Sequence, residues 1–193
     1  MLLQQLQPHF LFNSMNIIAS LIMVDPEKAE HVVEDLSALF RASLKAEGEV
    51  SLSDEISLCN SYLNIEKLRL GKRLDFEWRF DNLQSDLRIP ALTLQPLLEN
   101  AIYHGVELSD EGGKVTILVS WTGQELNIII TNPYHENKKS THKGNNMAVD
   151  NIRERLQAHY GTKAKLKTQA TGQLFTTHIS YPLAYGNEYI RLS

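Results

Sequence analysis

Cysteine is almost absent: Cys59 is the only one in 193 residues. There is thus no disulfide framework and no cysteine metal cluster, which suits a reducing compartment. Long apolar runs are missing too. No stretch approaches 18 apolar residues, so nothing reads as a membrane span, and no signal peptide is visible. The net charge of -4 leaves no surplus that predicts nucleic-acid or bilayer binding. The seven histidines are scattered, with no His-x-x-x-His or His-Glu pair on a predicted helix. That argues against a metal-dependent hydrolase. A nucleophile-elbow motif is also lacking, which argues against a serine hydrolase. There is no internal repeat and no low-complexity segment. What remains is 42% apolar, ordinary for a globular chain with a real core. The length allows one large domain, or a small one plus a medium one.

The stretch Leu6-Gln-Pro-His-Phe-Leu-Phe-Asn-Ser-Met-Asn16 stands out. On a helix, at about 100° per residue, His9, Asn13, Asn16 and Ser20 share one narrow polar wedge. Phe10, Leu11, Met15, Ile17, Ile18, Leu21 and Ile22 fill the opposite arc. Such a helix is expected to bury most of its surface and present a single histidine to solvent. The chain opens abruptly in helix-like sequence, which reads as a piece of a longer protein.

Residues 1–47 read as two helices separated by Asp25-Pro26, with Asp25 the N-cap and Pro26 in the first turn. Two amphipathic helices cannot bury both faces alone, so pairing with a second copy into a four-helix bundle is expected. Glu47-Gly48-Glu49 marks a boundary. Ser53 is expected to cap the next helix, which runs to Gly71. Leu74–Phe80 alternates like a half-buried strand. Ile89-Pro90 is expected to open a helix containing Leu94, Leu97, Leu98, Ala101 and Ile102. Lys114–Thr122 and Glu125–Thr131 read as a hairpin. Pro133 to Asn146 is polar and reads as a loop. Met147–Tyr160 reads as a helix ending at Gly161, and Lys163–Gln169 with Leu174–Tyr181 as a last hairpin. Helices combined with mostly antiparallel strands predict an α+β, two-layer sandwich.

Two further stretches carry chemistry. In Leu94-Gln-Pro-Leu-Leu-Glu-Asn-Ala-Ile-Tyr-His-Gly105, Asn100 and His104 are four apart and share a helix face. Asn100 offers a neutral oxygen suited to Mg²⁺ that keeps most of its waters. His104 can donate to a phosphate oxygen, and Glu99 could accept a proton. The plainer reading makes Asn100 a bridging residue and His104 a favourable helix-end residue. In His142-Lys-Gly-Asn-Asn-Met-Ala148, a glycine and two asparagines lead into a helix start, where free N–H groups form an anion site and Lys143 adds charge. An ordinary N-cap and surface loop is the alternative there.

Gln7-Pro-His-Phe-Leu-Phe-Asn13, Tyr62-Leu-Asn-Ile-Glu-Lys-Leu-Arg69, Ile89-Pro90, Leu94–Gly105 and Asn151-Ile-Arg-Glu-Arg-Leu156 occur in that order. Together they resemble the transmitter part of LytS-type sensor histidine kinases, over residues 1 to about 182. The form Gly144-Asn-Asn-Met-Ala148 is most similar to the AlgZ branch. The resemblance implies a dimerising helical hairpin over residues 1–50. A GHKL (Bergerat) ATP-binding domain would follow over 51–184, with a tail at 185–193. It implies that His9 is the phosphoacceptor, that Asn100 is the Mg-ATP asparagine and that His104 lies near the phosphates. Gly144 to Ala148, with Asn146 and Met147 among them, match the glycine-rich lid that closes on the nucleotide, and Lys143 precedes it.

The family's Asp-Asn-Gly-x-Gly box, whose aspartate recognises adenine, is read here as Thr131-Asn-Pro-Tyr-His135, with Thr131 and Asn132 toward the base. His9 is followed by Phe10, so a base, if one is needed, must come from elsewhere, and Glu99 is the candidate. The expectation is ATP- and Mg²⁺-dependent autophosphorylation on His9, then transfer to an aspartate of a response regulator. That regulator would carry a DNA-binding output domain. The kinase would be a homodimer through residues 1–47. The parent would be a bacterial inner-membrane protein, with this region on the cytoplasmic side. The alternative, motivated by Thr131, is a degenerate kinase that acts as a response-regulator scaffold or phosphatase.

Overall fold

The computed structural model describes residues 8–44, 48–83, 87–135 and 145–182, with side chains from 149 onward in the last segment. Helices α1 (Pro8–Leu21) and α2 (Pro26–Leu44) form a hairpin. Asp25 closes the turn between them by accepting from the Lys28 N–H at 3.1 Å. Strand β1 (Glu49–Ser51) leads directly into α3 (Leu52–Leu70). The cap of α3 is Ser51, whose hydroxyl accepts from Asp54 N–H, rather than the expected Ser53. The β-region backbone of Ser51 presents its side chain to the first turn, and Ser53 only hydrogen-bonds to that hydroxyl. Gly71, with φ of 59°, ends α3 as expected.

After β2 (Leu74–Asp81), Arg88–Pro90 forms strand β3, where a helix start was expected. Val50 pairs with Ile89, antiparallel, so β1 and β3 make a separate two-stranded sheet. Helix α4 begins only at Gln95 and runs to Ala101, continuing as a single π-helical turn, Ile102–Val106. Strands β4 (Gly113–Trp121) and β5 (Glu125–Pro133), helix α5 (Asn145–Tyr160), and strands β6 (Lys165–Thr171) and β7 (Leu174–Pro182) complete the order. The main sheet runs β2-β4-β5-β7-β6, antiparallel except for the β2–β4 pair.

Alternation along β4 and β5 builds the two layers. Val115, Ile117, Val119, Leu126, Ile128 and Ile130 point to one face and are buried, while their sequence neighbours are half-exposed. Helices α3, α4 and α5 cover that face. The same core reaches the hairpin, where Phe10, Val32, Leu36 and Leu39 join Tyr62 and Leu63 of α3. Phe10 packs on Tyr62 with ring centroids 5.2 Å apart. Fully burying each such side chain contributes about 1.5–3 kcal/mol, so the hairpin is anchored to α3 of its own chain.

Burial of α1 is one-sided. Phe10 and Ser14 are buried, but Met15 and Ile22, expected in the buried arc, are 47% and 53% exposed, and Phe12 is 69% exposed. The hairpin thus covers one face of α1 and leaves a second apolar face open. No described helix is long and apolar enough to cross a membrane.

Candidate functional site

A cleft of about 210 Å³ lies where α4, its π turn, the inner sheet face and α5 meet. Asn100 and His104 line it from α4 and the π turn. They sit on the same side because they are one helical turn apart. Asn132 and Tyr134 line it from β5, Phe175 and Thr177 from β7, and Asp150 and Arg153 from α5. The Asn100 amide nitrogen is buried and has no hydrogen-bond partner among the described residues. A buried amide in a polar cleft is costly unless a ligand satisfies it.

The sheet's parity decides which residue of the Thr131–His135 box faces this cleft. Ile128, Ile130 and Asn132 lie on the inner face of β5; Thr131 lies on the outer face, opposite Thr116 and Thr176. Thr131 therefore does not line the cleft, and Asn132, 5% exposed, does. A one-residue step along a strand exchanges faces. Asn132 is tightly held: its Nδ2 donates to Pro133 O at 2.7 Å. It also presses on Gly105, where an added Cβ would come within 2.4 Å of Nδ2. Gly105 thus lets the π turn approach β5 closely. With Nδ2 engaged, the acceptor Oδ1 is the group Asn132 has left to offer, the assignment of N and O following from that bond.

Glu99 is not among the lining residues. It accepts from Gln95 Nε2 at 3.1 Å, one turn back on α4. Its place beside Asn100 in sequence turns it about 100° away around the helix. Asn146 and Met147 lie in the first turn of α5, whose later residues line the cleft. Lys143 and Gly144 lie outside the described residues. Arg153, which the sequence reading passed over inside Asn151–Leu156, lines the cleft beside Asp150 and contacts its carboxylate.

His9 is exposed on α1 and lies near the other flank of the π turn. Its Nδ1 is 3.5 Å from the Tyr103 hydroxyl. The Asn13 amide lies 3.2 Å from Nδ1 and 3.4 Å from Nε2. Beneath this contact, Glu66 is fully buried and receives Arg69 Nε at 2.8 Å. Burial pushes the Glu66 carboxyl above its ordinary range, against the pull of Arg69. Burial likewise pushes the Tyr103 hydroxyl well up, aided by the Glu66 and Glu107 charges, so it stays neutral.

The Histidine kinase family model matches residues 1–74, which include His9. The Sensor protein LytS of Oceanobacillus iheyensis is 34% identical over 95% of this chain and 34% of its own length. The chain belongs to the LytS-type sensor histidine kinases. The Sensor histidine kinase BtsS of Escherichia coli is 39% identical over 81% of this chain and 29% of its own length. The chain thus spans about a third of the length of these curated relatives. Among solved structures, the Acinetobacter baumannii histidine kinase AdeS superposes with a TM-score of 0.51 at 16% identity, over 81% of this chain and 79% of that one. The Erythrobacter litoralis EL346 blue-light activated histidine kinase gives 0.52 at 16%, over 91% and 58%. These likenesses show the fold: a helical hairpin on the α/β sandwich of histidine kinases. In LytS-type terms, the structure gathers Asn100, His104 and Asn132 in one cleft and sets His9 beside its rim helix.

Proposed function

We propose that this chain is the transmitter of a two-component sensor kinase, which phosphorylates His9 from ATP and passes the phosphoryl group to a response regulator aspartate. The observation that carries it is the convergence of Asn100, His104 and Asn132 on one cleft, with His9 against the same helix. Asn132 Oδ1 would accept from the adenine amino group. Asn100 lines the cleft, so its Oδ1 would be the atom to hold Mg²⁺, which needs few protein ligands besides phosphates and water, while its buried, unpartnered Nδ2 would donate to a phosphate oxygen. When bound, Mg²⁺ would neutralise phosphate charge. His104 and Arg153 would face the phosphate tail.

The chemistry asks little covalent work of the protein. A neutral imidazole nitrogen of His9 attacks the γ-phosphorus in line, and ADP leaves with the electron pair. The protein contributes positioning. The division of labour follows the boundaries expected above: residues 1–50 present the histidine and dimerise, 51–184 bind nucleotide, and 185–193 form a tail. The open Phe12/Met15/Ile22 face supports a homodimer through residues 1–47. A response regulator with a DNA-binding output domain and a membrane-embedded parent belong to the same proposal. The scaffold alternative rests on Thr131, which faces away from the cleft; no geometric observation favours it.

Calorimetric titration with Mg-ATP tests the reading. Binding is expected, and Asn100→Ala should weaken it about tenfold or more, one lost charge-assisted contact. Absence of binding at millimolar nucleotide would overturn it.

A further inference from the structure

His9 lacks the acidic neighbour that could take its proton, since Phe10 follows it and is buried on Tyr62. Attack through one ring nitrogen requires that nitrogen to hold its lone pair, with the proton on the other. Which nitrogen carries the proton is set by the hydrogen bond the other groups make. The Asn13 Nδ2 is a donor and must meet a lone pair; it lies 3.2 Å from Nδ1 and 3.4 Å from Nε2, within reach of whichever nitrogen holds one. The Tyr103 hydroxyl reaches Nδ1 alone, at 3.5 Å, where it can donate or accept; the arrangement that satisfies both ring nitrogens has Asn13 donating to a lone pair on Nε2 and Nδ1–H donating to Tyr103.

The seat is built from the core outward. Tyr103 is 6% exposed, with its ring 6.3 Å from the His9 ring and the Arg69 guanidinium 6.0 Å from its centroid. Arg69 is itself fixed by Glu66 and Glu107. On the other side, α1 is held by Phe10 in the core and by Ser14, buried and bonded to Phe10 O at 2.8 Å. Both partners of the contact therefore stand on packed elements.

Building on the kinase reading, we propose that Tyr103 is a positioning residue for the phosphoacceptor: its hydroxyl oxygen accepts the Nδ1 proton of His9 and leaves the Nε2 lone pair as the nucleophile. The step then balances without a general base. The Nε2–phosphorus bond forms, the bond from the γ-phosphorus to the bridging oxygen breaks, and the electron pair leaves with ADP. The Nδ1 proton stays on the ring, shared with Tyr103. A tyrosine oxygen has lone pairs for this while its own proton points elsewhere. Its raised pKa keeps it neutral throughout.

The test reads the tautomer directly. In protein carrying ¹⁵N-histidine, without nucleotide and above the imidazole titration, His9 is expected as the Nδ1–H form. Tyr103→Phe, nearly isosteric, should shift it toward Nε2–H. The same variant should slow labelling from γ-labelled ATP about three- to tenfold, the equivalent of one neutral hydrogen bond, with KM for ATP unchanged. A wild-type His9 already in the Nε2–H form, or a ratio unmoved by Tyr103→Phe, would overturn the proposal. If the tautomer shifts as expected but the wild type takes no label, the seat stands and the kinase reading falls.

Discussion

Gly105 and Asn132 make a pair in which one residue has meaning only through the other. The glycine leaves room for an amide that a methyl would strike at 2.4 Å. Gly105→Ala is predicted to destabilise the fold by about 1–3 kcal/mol, the usual cost of overpacking, and to weaken ATP binding as Asn132 shifts. Paired urea and nucleotide titrations check both effects; unchanged ATP affinity in a destabilised variant would mean that Asn132 does not meet the base. Asn132→Asp should retain or strengthen ATP binding, while Thr131→Ala, on the outer sheet face, should leave it unchanged. At this scale the sequence was legible for Asn100 and His104, because one helix and a four-residue spacing decide where they point. Thr131 was misjudged because strand parity turns on a single residue. Phe175 and Thr177 of β7 were missed because only long-range pairing brings them to the cleft.

Among the elements, α5 has the widest reach. Val149, Asp150 and Arg153 line the cleft. Arg155 contacts Leu92 O and lies 3.3 Å from Thr93 Oγ1, and Tyr160 donates to Glu49 Oε1 at 2.6 Å. The loop it grips holds Leu92 at φ of 55°, a conformation that L side chains avoid. Glu55 of α3 supports this loop from beneath, accepting Leu92 N–H at 3.0 Å and Leu94 N–H at 2.8 Å. Burial raises the Glu55 carboxyl above its ordinary value of 4.5, although those N–H groups pull it down. A raised folded-state pKa means that the stabilising contribution is complete below about 4.5 and is lost as pH rises through the folded value. The stability of the wild type relative to Glu55→Gln should therefore decline from acid to neutral pH. Denaturant unfolding of both proteins across that range checks it, and a rising difference would refute the assignment. The same loop explains a sequence misreading. Pro90 follows the rule for helix starts, yet β1, some forty residues earlier, captures Ile89 into a strand. Nothing local to Pro90 carries that pairing.

For the whole molecule, the hairpin faces two ways. One face is docked on α3 through Phe10; the other carries exposed Phe12, Met15 and Ile22. Phe12→Glu with Met15→Glu is predicted to yield a folded monomer by sedimentation equilibrium, against the dimer predicted for the wild type. Phe10→Ala, in contrast, should cost about 3–5 kcal/mol of stability. The two-helix hairpin and the sandwich were readable from periodicity, whereas the docking of one on the other was not, since it depends on Tyr62 meeting Phe10 across fifty residues. His9 is proposed to receive phosphate from ATP bound at the Asn100 cleft. Incubation with Mg²⁺ and γ-labelled ATP measures it: the wild type should acquire acid-labile label, and His9→Gln and Asn100→Ala should each acquire little or none. Equal labelling of the His9→Gln protein would mean that His9 is not the phosphoacceptor.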